Sequence, residues 1–381
     1  MDIGRKIGEN RVQRHRTGGR PREGKVGERR VSVQSPLLRA SMRHSHRRYA
    51  ITSIGFLFLS SIFLTEILLR YYYQNAHRKM AIRYQNRELC TMRATDTRLI
   101  YTYVPNTCEA NAKGYNDAEY DYEKDPAIYR IVIIGDSVAA GPSSTENFGK
   151  ILEKRLNTNS SPPRGKAYEV IVLARSGYST SQELVILEDE AFQYNPDLVM
   201  WSYVLNDPAH PVYHNANGEL GRFWYTPQYY LLHFLQKTMF LVYERVKGYK
   251  CEKEFHKFLH CVYHKQIEEN IKKIRVISAT RHIPIIFLIH PIFEKGKTYA
   301  EYSLIPVHHI LNTMATSVGI MVWDLYDVFR YYNPEDVKVA SNDQWYDPWH
   351  LNIKGHMVVA EYLYEKLTQG LWGQKLPKQP R

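Results

Sequence analysis

Five apolar bursts of strand length constrain this chain more than any other feature. They occupy 129–134, 168–174, 198–204, 283–289 and 319–323. Each is apolar almost without interruption, the pattern of a strand covered on both faces. Amphipathic stretches of helical period lie between and after them, at 148–156, 181–192, 266–281, 305–316 and 353–367. Strand and helix in alternation call for right-handed crossovers and a parallel sheet. One three-layer α/β/α domain over 126–370 is therefore expected.

The interval 208–262 is too long for an ordinary crossover and is dense in aromatics, including Phe223, Trp224, Tyr225, Tyr229, Tyr230, Phe234, Phe240 and Tyr243. Helical parts that cover apolar surface are expected there. The insertion is either a subdomain packed on the main core or a lid that lines a pocket or rests on a bilayer.

Ahead of the domain the chain changes character twice. Residues 1–50 hold fourteen Lys and Arg against four Asp and Glu, which accounts for +10 of the total +12. Such a composition predicts disorder, and Met42 is an alternative start that leaves a compact basic flank. A basic tail can bind phosphate, but with no aromatic interleaving or recognition motif beside it, nucleic-acid binding is not expected. The apolar run from Ile51 to Leu69 follows. At ~1.5 Å per residue it reaches about 28 Å, the thickness of a bilayer's hydrocarbon. Tyr71, Tyr72 and Tyr73 suit the interface beyond it, and no small-x-small cleavage site follows. A single-pass signal anchor over 51–73 is expected, then a linker over 74–125 and, after the domain, a tail at 371–381.

Basic residues flank the span on both sides, so charge does not orient it. All four cysteines, Cys90, Cys108, Cys251 and Cys261, follow it. An even number favours an oxidising, extracytoplasmic or periplasmic location, with three pairings open and free thiols the alternative. His256, His260 and His264 recur at helical spacing beside Cys261. They are expected to form a polar helix face, with no metal site.

In an open parallel sheet, ligands bind beyond the carboxyl ends of the strands, and there the unusual residues fall. Gly135-Asp136-Ser137, with Gly141, follows the first burst; Arg175-Ser176-Gly177 the second; Asn206-Asp207 the third; and Asp347-Pro348-Trp349-His350 lies beyond the fifth. A nucleophilic serine needs a base and a group that holds the base, and His350 with Asp347 supplies both. The developing oxyanion needs donors, which the amides of Ser137 and Gly177 and the Asn206 side chain provide. The spacing differs from the α/β-hydrolase pattern Gly-x-Ser-x-Gly with a distant acid.

These ordered blocks resemble the SGNH, or GDSL, hydrolase family over about 129–369. The resemblance implies a flavodoxin-like fold with a five-stranded parallel sheet and no metal or organic cofactor. It also implies Ser137 as nucleophile, His350 as general base and acid, Asp347 as its partner, and Ser137, Gly177 and Asn206 as oxyanion hole. Val204 departs from the family pattern, which has glycine there, and bears on pocket shape. The expected activity is hydrolysis of acyl esters on cell-envelope polysaccharide or lipid. The alternatives are acyl transfer to a sugar hydroxyl and a non-catalytic glycan-binding role.

Overall fold

The computed structural model describes residues 36–83, 90–158, 166–208, 228–340 and 346–371. The chain forms two compact units, Met1–Ser61 and Ile62–Arg381. The first carries most of α1 (Pro36–Arg83). Residues 1–35 of the expected disordered segment and the 371–381 tail, save residue 371, lie outside the described residues. Residues 36–50, in contrast, are helical. Leu37, Leu38, Arg39 and Ala40 are strong helix formers, and neither glycine nor proline interrupts the chain from Leu37 to Gly55. Within α1, Arg47–Asn75 is long and apolar enough to cross a membrane.

The second unit is built on five parallel strands, as expected, in the doubly wound order β4-β3-β5-β6-β7. They are β3 (Ile128–Gly135), β4 (Ala167–Ala174), β5 (Leu198–Val204), β6 (Ile285–His290) and β7 (Met321–Asp324). Ile131 to Ile134 and all of β5 and β6 are buried, as continuous apolar character requires of central strands. The covering helices are α3 (Phe148–Asn157), α4 (Thr180–Asp189), α7 (His264–Arg281), α8 (Ile305–Ser317) and α11 (Ile353–Glu365). Short helices α2 (Ser137–Ala140), α9 (Tyr326–Phe329) and α10 (Pro334–Val337) follow strand ends or fill connections. Asn147 and Asn352 cap α3 and α11 by accepting the amides of Lys150 and Gly355, both at 2.9 Å.

The expected linker is a correction. Its described part, 90–125, folds onto the domain: β1 (Thr91–Arg93) pairs antiparallel with β2 (Tyr101–Tyr103), and Cys90–Cys108 closes the segment. Tyr101 and Tyr115 are fully buried in the main core, and Asp117 accepts the amide of Val172 at 2.7 Å on the edge strand β4. Polar tyrosines enter that core one ring at a time, so no period announces them. In the insertion, α5 (Tyr230–Lys247) and α6 (Phe255–Val262) form, with Cys251–Cys261 closing the turn between them.

The histidine pattern on α6 is a second correction. His256 and His260 are buried, and their ring nitrogens find partners within the protein. His260 bonds the His256 carbonyl at 2.7 Å and the Tyr203 hydroxyl at 2.9 Å. Burial is tolerated because each polar atom is satisfied. No cluster suited to a metal occurs among the described residues.

Candidate active site

The register of the sheet brings the predicted residues to one end. Gly135 lies opposite Ala174 on one side and Ser202 on the other, so β3 and β4 finish together and β5 ends two residues beyond them. Ser137 follows β3, Gly177 follows β4, and Asn206 follows β5. The Asp136 carboxylate caps α2 by accepting the Val138 amide at 2.8 Å, which turns the chain sharply and lifts Ser137 at the helix start. Gly141 ends that turn with φ +67°, and a Cβ there would stand 2.5 Å from the Cβ of Asn147.

Ser137 Oγ lies 2.7 Å from His350 Nε2, and His350 Nδ1 lies 2.6 Å from Asp347 Oδ2. The ionised carboxylate accepts from Nδ1–H, which leaves the Nε2 lone pair facing the serine hydroxyl. The other oxygen of Asp347 accepts the amides of Trp349 at 2.9 Å and His350 at 3.0 Å, fixing the carboxylate within its loop. Burial alone would raise the Asp347 carboxyl, but His350 and these two amides hold it below the usual carboxylate range. Loss of water around His350 would lower its imidazole, yet the bond and charge of Asp347, with the charge of Asp136, raise it above 6.5. The His350 side chain remains 37% exposed, so its edge is open to a substrate.

The donor side is as well supported. Gly177 adopts φ +76°, a conformation that suits glycine, in the turn 175–177. The Ser176 carbonyl accepts the Tyr101 hydroxyl at 2.7 Å, and its amide donates to the Tyr103 hydroxyl at 3.0 Å. Arg175 donates to the carbonyls of Gly114 and Lys113, both at 2.9 Å, and its guanidinium stacks 3.9 Å over the Tyr115 ring. The segment 90–125 thus brackets the glycine turn, a role that the sequence did not signal. Asn206 has no side-chain hydrogen-bond partner among the described residues, and its carbonyl oxygen is buried. Its neighbour Asp207 ties the loop by accepting the Val204 amide at 2.6 Å, and Val204 itself is buried at the end of β5.

Behind these turns lie three buried carboxyls. Burial raises Asp136 to about 6 and drives Glu183 and Asp207 well above the usual range. Glu183 accepts the Trp201 indole N–H at 2.7 Å. Burial disfavours the ionised form of Glu183 and Asp207 alike.

The insertion reaches the same site from the other side. The Trp349 indole N–H donates to His256 Nε2 at 3.2 Å, and His256 Nδ1–H donates to Glu254 at 3.0 Å. Trp349 precedes His350, so α6 steadies the loop that carries the imidazole. Periodicity could not reveal this pair, because its members are 93 residues apart.

The sequence pattern of the GDSL-like lipase/acylhydrolase family matches residues 131–363. The chain belongs to this family. Membership marks it as an SGNH-type esterase, and the five-stranded α/β fold is the one that the family resemblance implies. Among solved structures, this esterase is similar to an α/β hydrolase enzyme from the metagenome of Lake Arreo, Spain, with 17% identity over 66% of this chain and 98% of the other, at TM-score 0.42. A lipase/acylhydrolase from Enterococcus faecalis is 17% identical over 66% and 100%, at TM-score 0.38. Axe2, an acetylxylan esterase from Geobacillus stearothermophilus, is 14% identical over 66% and 97%, at TM-score 0.41. No curated protein matches the chain.

Proposed function

We propose that this esterase is anchored to a membrane by α1 and cleaves carboxylic esters through an acyl-serine intermediate. The observation that carries the reading is the unbroken path of hydrogen bonds from Ser137 through His350 to Asp347. Ser137 Oγ attacks the ester carbonyl as His350 Nε2 takes its proton, and Asp347 stabilises the imidazolium. The amides of Ser137 and Gly177 and the Asn206 side chain receive the oxyanion. The proton then passes to the leaving alkoxide as the acyl–oxygen bond breaks. Water, activated by the same imidazole, releases the acid and restores Ser137.

The two disulfides support an oxidising compartment, and so a catalytic unit on the extracytoplasmic, periplasmic side. Attachment to the membrane there suits acyl groups on cell-envelope polysaccharide or lipid. Ser137→Ala is expected to lower hydrolysis of a short-chain aryl acetate by about 10⁴ to 10⁶ and to abolish labelling by an active-site phosphonate. Wild-type turnover by that variant would refute the reading. With candidate glycans present, free acid as the sole product supports hydrolysis, and an acylated glycan would instead mark transfer.

A further inference from the structure

Helix α5 is built inside out. Its buried face carries Tyr230, His233 and Lys237, the last two only 4% and 5% exposed. Glu244, on the same face, accepts the Tyr263 hydroxyl at 2.7 Å. The opposite face carries Leu232, Leu235, Met239, Val242 and Val246, spaced three and four residues apart, all exposed. Met239 is 71% exposed and Val246 65%. An apolar stripe along about 21 Å of helix does not remain in water without a purpose.

Its position identifies the occupant. The Glu66 carboxylate, one turn before the end of the apolar run of α1, accepts the amides of Tyr230 at 3.0 Å and Leu231 at 2.7 Å. Arg70 donates to the Gln228 carbonyl at 3.3 Å, and Tyr73 stacks on Tyr230 with centroids 5.8 Å apart. The first turn of α5 is therefore fixed where the span leaves its hydrocarbon-length segment. At the other end, Arg245, Lys247 and Lys250 are exposed and suit anionic headgroups. Exposed Tyr243 widens the stripe beyond the narrow seam of a paired coiled coil.

We propose that α5 lies in the membrane interface, its Leu232-to-Val246 stripe buried among lipid acyl chains. It is a second contact that fixes how the catalytic unit faces the bilayer. The inference rests on α1 being a membrane span, and the test separates the two.

The full chain, reconstituted in vesicles of zwitterionic and anionic phospholipid, carries an environment-sensitive dye at one of three introduced cysteines: Met239→Cys on the stripe, Phe58→Cys on α1, or Lys272→Cys on exposed α7. The dye at 239 is expected to shift its emission to the blue, lose quenching by aqueous iodide and gain quenching by doxyl-labelled lipid. The dye at 272 should behave oppositely. Lipid-like readings at 58 with a water-like reading at 239 would overturn the α5 proposal and leave the anchor standing; water-like readings at both would overturn both. A dye at 239 shielded from iodide and from doxyl lipid, with energy transfer between chains, would assign the stripe to a second copy and also overturn the proposal.

Discussion

The segment 90–125 and the described part of the insertion, 228–262, are each closed by a disulfide and each hold one half of the candidate site, but they do so with different strength. The first brackets Ser176 by two tyrosine hydroxyls and Arg175 by two carbonyls, with Tyr101 and Tyr115 sunk in the main core. The second reaches the imidazole loop through one long bond, Trp349 to His256, and turns apolar side chains outward from α5. The donor half is thus gripped through several paired groups, whereas the insertion's grip on the base half is a single bond, to a loop whose imidazole pKa is raised. Damage to the two halves should differ in kind.

The largest expected effect is on the base half. Asp347→Asn should lower kcat by about 10⁴, because the imidazole loses the partner that selects its tautomer. In the intact esterase His350 must be neutral to accept the serine proton, and its raised pKa places the acid limb of kcat/KM above 6.5. Without the Asp347 charge, burial dominates and that limb should move below the wild-type position. An unmoved limb in a pH–rate profile would break the assignment.

Asn206→Ala tests the donor half, with an expected loss of about 10² to 10³ in kcat and no shift of the acid limb. A shift would show that the two halves are coupled. Replacing Cys90 and Cys108 together by serine should cost about 3 kcal/mol of stability by thermal unfolding in detergent, since the closed loop spans 18 residues. The corresponding change at Cys251 and Cys261, 10 residues apart, should cost slightly less. The smallest effect is expected for Trp349→Phe, which keeps the ring but removes the donor. About 1 kcal/mol, or roughly fivefold in kcat, should be lost. A far larger loss would mean that the insertion grips the imidazole loop as firmly as 90–125 grips the glycine turn.

The sheet was legible because its strands are apolar on both faces, so continuous runs such as 198–204 stood out without help from neighbours. The meeting of Ser137, His350 and Asp347 followed from strand ends and from the chemistry of a serine. What escaped notice depends on contacts between distant residues. Tyr101 and Tyr103 carry no periodic signal, and their worth lies in hydroxyls aimed at Ser176. His256 and His260 have the spacing of a surface stripe, yet burial and paired nitrogens give them a structural use. The leucines and aromatics of the insertion indicated a helix over apolar surface, but α5 turns Leu232 and Leu235 away from the protein.

The bracket around Ser176 also bears on how this enzyme can be cut for the laboratory. Tyr101, Tyr103 and Tyr115 all precede residue 131, where the family match begins. A soluble version trimmed to the matched region would retain the serine, the imidazole and the carboxylate, but would expose the flank of β4 and free the glycine turn. Its first residue should lie ahead of Cys90, so that the staple and all three tyrosines remain with the domain that they complete.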